Sequence, residues 1–88
     1  SIIFHIAKIT DYENARMTGS YKHISLHKEG FIHCSRHFQV CEVADLLFKG
    51  QPDLILLAID EAKCRQKIKY EGPSWNTFPH IYGELNLD

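Results

Sequence analysis

Phe31, His33 and Ser35 alternate with Ile32 and Cys34 directly after Gly30. In extended backbone that period sends the first three side chains to one face and the other two to the opposite face. One face thus carries an imidazole and a hydroxyl, able to hold a ligand or move a proton, and the other is apolar. Six histidines in 88 residues raise metal binding first. Cys34, His37 and Cys41 place two soft ligands four residues apart on one helical face, but His37 sits at the helix start, Cys41 reads as a small core residue and no CxxC pair closes a tetrahedral site, so no metal is expected. Cys34 as a nucleophile faces away from His33, its nearest base. Ser35 lacks a nucleophile-elbow motif and reads as a helix N-cap, and no glycine-rich phosphate loop occurs. What remains is a set of hydrogen-bonding side chains from separate segments: His5, Ser25, His33, Ser35, His80 and Tyr82, with Trp75 as a stacking plate. Such a set suits a small polar ligand carrying a planar ring.

These residues need elements to position them. Ile2–Ala7 is β-branched and aromatic on both faces, an internal strand with His5 in its middle, where an imidazole must be hydrogen-bonded whether it is structural or faces a pocket. Thr10 and Glu13 have capping-box spacing, predicting a helix over Asp11–Met17 that stops at Gly19. Tyr12 and Ala15 form its inner side. Tyr21–Leu26 reads as extended, and Gly30 as the turn into the next strand. From Arg36 to Lys49, Val40, Val43, Ala44, Leu47 and Phe48 recur at helical intervals, with Ser35 to start the helix, free N–H groups at the junction, and Gly50 to end it. Leu54–Ile59 is a continuous apolar run, a central strand covered on both faces. Lys63, Arg65, Lys67 and Lys69 alternate with Cys64, Gln66, Ile68 and Tyr70, the pattern of an edge strand guarded by lysine or of a rail facing phosphate. Residues 71–77 are loop, and the segment from Phe78 turns into a last strand. The expected order is β-α-β-β-α-β-β-β, an α+β domain with a mostly antiparallel sheet and two helices.

Composition bounds the partners. Formal charge is −1, so no broad field recruits nucleic acid or an anionic membrane. The longest apolar run is far too short to span a membrane, and three cysteines without CxxC spacing fit a reducing compartment, so a cytoplasmic protein is expected. The chain opens at Ser1 rather than Met, as a processed chain or a fragment does.

His5, Ser25-Leu26, Glu29-Gly30-Phe31-Ile32-His33-Cys34-Ser35, Gln39-Val40, Asp53-Leu54 and Phe78-Pro79-His80-Ile81-Tyr82-Gly83 together resemble a small family of conserved hypothetical proteins, domain of unknown function 952. The resemblance spans nearly the whole chain, residues 1–88, as a single domain, and implies one further strand beyond Asp88. It also implies the fold of ADP-ribosyltransferases and RNA 2′-phosphotransferases, in which a cleft between two small sheets holds NAD or an ADP-ribose-like group. By that resemblance His5 would bond a ribose hydroxyl and His33 would help orient the ribose. The stretch Gly30–Ser35 would flank a nicotinamide, and Glu84 would be the carboxylate stabilising an oxocarbenium-like ribose. The expected function is binding of a small nucleotide-like ligand, with a transferase of this type or a non-catalytic interaction domain as alternatives.

Overall fold

The computed structural model describes residues 1–88. In chain order the elements are β1 (Ile2–Lys8), α1 (Ile9–Thr18), β2 (Ser20–Tyr21), α2 (Ile24–Glu29), β3 (Ile32–His33), α3 (Val40–Leu47), β4 (Leu54–Asp60), a single 3₁₀ turn, β5 (Lys67–Glu71), β6 (Phe78–Tyr82) and β7 (Leu85–Asn86). All strand pairs are antiparallel: β1 with β4, β2 with β7, and β3–β6–β5. The α+β class therefore holds, with three α-helices rather than the expected two.

The additional helix is α2, where an extended run was expected. His23 is extended, and its Nδ1 accepts the Ser25 N–H at 3.1 Å, which caps the helix start. Gly30 ends it at φ +87°, its N–H donating to the Leu26 carbonyl. Gly30 is thus a helix stop and not simply a strand start. A Cβ at this position would meet nothing within 4 Å, so only backbone strain opposes it. Gly30→Ala is expected to cost about 1 kcal/mol, read as a lower urea midpoint at unchanged m-value; an unchanged midpoint would refute the strain.

The capping box at Thr10 does not form. α1 starts two residues earlier, behind Lys8, because the Ile9 N–H finds the Asp53 carbonyl at 2.8 Å and needs no side-chain cap. Its end at Gly19 (φ +81°) and its inward Tyr12 and Ala15 agree with expectation. Nor does Ser35 cap α3. A turn over residues 36–39 intervenes, closed by the Gln39 side chain, whose Oε1 takes the Arg36 N–H at 2.8 Å. Gln39, buried, also donates through Nε2 to Asn76 Oδ1 and the Thr77 carbonyl, while an Arg36 Nη donates to Thr77 Oγ1. This polar knot ties the start of α3 to the loop before β6.

β4 is not covered on both faces. Its one strand neighbour is β1, and only its inner face meets the core, so Leu57 and Ile59 are buried while Leu56 is 48% exposed. The core lies on the inner face: Ile3, Ala7, Ile32, Leu57, Ile59, Ile81 and Leu85, with Tyr21 fully buried among them. β1, expected to be internal, is paired on both sides only at Phe4. β4 flanks one side, and on the other Phe4 and Ser35 exchange two backbone hydrogen bonds, at 2.8 and 2.7 Å. That single bridge joins the β1–β4 pair to the β3–β6–β5 sheet. Beyond it the two sheets part.

Candidate functional site

The parting of the sheets makes the site. A cavity of about 370 Å³ opens over the gap between β1 and β3 and is roofed by α3. His5 and Phe4 reach it from β1, His33 and Ser35 from β3 and its extension, and His80 and Phe78 from β6. Val43, Leu46, Leu47 and Phe48 supply an apolar roof. Leu46 and Leu47 line the cavity yet remain 78% and 63% exposed, because α3 stands off from the sheet instead of packing into it.

Four of the residues singled out from the sequence, His5, His33, Ser35 and His80, meet in this one cavity. The others do not line it. Ser25 is buried beside it, donating its hydroxyl to the Phe31 carbonyl at 2.9 Å. Tyr82 lies one row further along the sheet. Glu84 borders a separate hollow, where its carboxylate takes the Ser20 hydroxyl at 2.8 Å. Trp75 is 82% exposed in the loop after β5 and is no stacking plate for the cavity.

His5 is fully engaged. Its Nδ1 stands 2.6 Å from the His33 carbonyl, which only accepts, so Nδ1 carries the proton. Nε2, 2.9 Å from Tyr21 Oη, then accepts the phenol's hydrogen. Burial drives its pKa down to about 4, against the pull of the backbone bond, with His23 and His33 adding to the fall. A neutral ring with both nitrogens bound is a wall of the cavity and not a free base. The buried Tyr21 phenol is pushed above its usual range by the same loss of solvent.

His33, half-exposed, and His80, mostly buried, carry the remaining chemistry. Their ring centroids lie 5.2 Å apart, and Phe31 stacks on His80 at 4.0 Å with 15° between planes. Each has a carboxylate behind it: Glu29 Oε1 is 3.0 Å from His33 Nε2, and Glu71 Oε1 is 2.8 Å from His80 Nδ1 while also taking the Tyr82 hydroxyl. The bond from His33 holds the Glu29 carboxyl below its ordinary range, and those from Tyr82 and His80 do the same for Glu71.

The expectation of free N–H groups at the end of this strand fails. The Cys34, Ser35 and Arg36 N–H groups go to the Pro79 carbonyl, the Phe4 carbonyl and Gln39 Oε1. Cys34 is buried, its thiol pushed up to about 12 by desolvation, as an inert core residue would be. No three His, Cys, Asp or Glu side chains gather in a metal-binding group; His37 and Cys41 are exposed. No helix is long and apolar enough to cross a membrane.

Sequence reading missed His23 and Leu46. His23, with its ring 5.3 Å from that of His5, lines the cavity and has its pKa lowered chiefly by burial. No local signal marked His23, since an imidazole is an unusual helix cap; for Leu46 the signal was its place three residues after Val43 on the same helical face.

The fold is shared with a solved structure. The crystal structure of Protein CC0527 from Caulobacter crescentus superposes with a TM-score of 0.86 at 30% identity, over 99% of this chain and 78% of that one. A double mutant of the same protein gives 0.85 at the same identity and coverage. No curated protein matches the chain. The sequence profile that does match covers residues 6–88, and the chain belongs to the family described as Protein of unknown function (DUF952).

Proposed function

We propose that the cavity binds one small planar ligand of nucleotide type, of the NAD or ADP-ribose class. The observation carrying this reading is that His5, His33, Ser35 and His80, from three strands, meet in one apolar-roofed cavity of about 370 Å³. Ligand sites of roughly 300–1,000 Å³ with mostly apolar walls and a few polar groups take small organic molecules, and this one is at the small end, fit for a ring and its nearest substituents. The parting of two small sheets around a cleft, as in an ADP-ribosyltransferase-like fold, supports the same class. Within the reading, His33 and His80 give the ligand polar contacts and Leu46 and Leu47 cover its ring.

Binding ranks ahead of catalysis because of the carboxylates. Transfer of an ADP-ribosyl group needs a carboxylate near the reacting ribose. Glu29 and Glu71 reach the cavity only through His33 and His80, and Glu84 borders another hollow.

Calorimetric titration with NAD, ADP-ribose and nicotinamide tests the reading. At least one is expected to bind, and a charge in the roof, Leu46→Glu, is expected to weaken it by about tenfold or more without unfolding so exposed a position. Heat from none of the three would leave an interaction domain with structural histidines. NAD consumption abolished by Glu84→Gln would put catalysis in place of binding.

A further inference from the structure

The outer face of the β3–β6–β5 sheet continues the site beyond the cavity. Directly opposed residues in a sheet share a face, so the register sets out rows. His33, His80 and Lys69 form one row, and Tyr82 and Lys67 belong to the next. The first row begins in the cavity and ends on two lysines' strand, one strand spacing of about 5 Å beyond His80. Lysines that merely guard an edge extend into water. Lys69 instead folds back across β6, its Nζ 4.7 Å from the centre of the Tyr82 ring.

We infer that this row is the anion-binding half of the site, in which Lys69 and Lys67 take the phosphate groups of a nucleotide whose ring lies under α3. The inference rests on the ligand reading above and adds the part of the molecule that crosses β6. Glu29 opposes this charge from behind His33, and Glu71 is the opposing charge on β5 itself. Its Oε1 is already shared by His80 and Tyr82, which directs it toward β6 and leaves the lysine heads unpaired by it. A nucleoside would use the cavity alone. A nucleotide would use both halves.

The test compares phosphate-bearing compounds with their phosphate-free counterparts by calorimetry: ADP-ribose and ADP against adenosine, and nicotinamide mononucleotide against nicotinamide riboside. The phosphorylated member of at least one pair is expected to bind about tenfold more tightly, and this advantage should shrink as salt is raised. In the Lys67→Gln, Lys69→Gln double variant, unchanged in thermal melting because both positions are exposed, the advantage should vanish while nucleoside binding stays. Equal affinities within each pair, still lost in Leu46→Glu, would overturn the lysine role and keep the cavity. A phosphate advantage undiminished in the double variant would also overturn it. No binding by any compound removes cavity and lysines together.

Discussion

His5→Ala is expected to cost about 4 kcal/mol of folding free energy, and to lower the melting temperature by roughly 20 °C for a domain of this size. The imidazole is 3% exposed and makes two hydrogen bonds, to the His33 carbonyl and the Tyr21 hydroxyl. Truncation leaves both partners buried without a mate, at about 1–3 kcal/mol for each such group, and opens a void as well. Tyr21→Phe removes only the second bond and should cost about 1–2 kcal/mol. Because the two residues share one bond, the double variant should fall short of the sum of the singles. Urea unfolding checks all three. A His5→Ala cost below about 1 kcal/mol would show that the ring is not the tie between β1, β2 and β3 described above.

That tie shows which parts of the fold could be read from the residues. Ile2–Ala7 was legible as a strand from its β-branched and aromatic run, though not which of its faces is buried, and the alternation of Ile32 and Cys34 was legible because burial on a strand follows period two; the structure buries Ile3, His5, Ala7, Ile32 and Cys34. α2 was not legible. Tyr21, His23 and Ser25 alternate as a strand would, and its start is capped by an imidazole instead of the usual short hydroxyl or carboxylate. The capping box at Thr10 failed for a different reason. A long-range backbone bond from Ile9 to Asp53 displaced a local signal, as tertiary contacts regularly do. Leu54–Ile59 misled through composition. Continuous apolar runs usually mean two covered faces, yet here Leu56 is left half in water on a strand with one neighbour.

The site was legible as a set of residue types and not as an arrangement. Histidines from three segments do share a cavity, but pairing decides what each can do. The register fixes His80 opposite His33 and Lys69, a long-range fact that spacing along the chain cannot supply. Equally, nothing in local sequence shows that Glu84 bonds Ser20 on another side of the molecule. The α3 apolar stripe was read as one side of a helix, a face that amphipathic helices normally bury. In the structure Val43, Leu47 and Phe48 roof a cavity, and no residue of α3 is fully buried. Departure from ordinary packing is where function is best sought.

Acid should destabilise the domain well before its carboxylates are protonated. In the unfolded chain His5 titrates near 6.5, and in the fold burial lowers it to about 4. A histidine with a depressed folded pKa contributes stability that is complete above the unfolded value and is lost as pH falls from about 6.5 through 4. At about 1.4 kcal/mol per unit the whole span is worth about 3 kcal/mol, of which about 2 should disappear between pH 7 and pH 5. His23, shifted the same way by burial, steepens this fall. Glu29 and Glu71, held below their ordinary range, keep their contribution until the pH drops further, so they do not blur the histidine window. Urea unfolding at several pH values reads the effect directly, and His5→Gln, which cannot titrate, should flatten the profile to the part due to His23. A parent protein equally stable at pH 7 and pH 5 would show that His5 takes up its proton in the folded state as easily as in the unfolded one, and that burial does not hold it neutral.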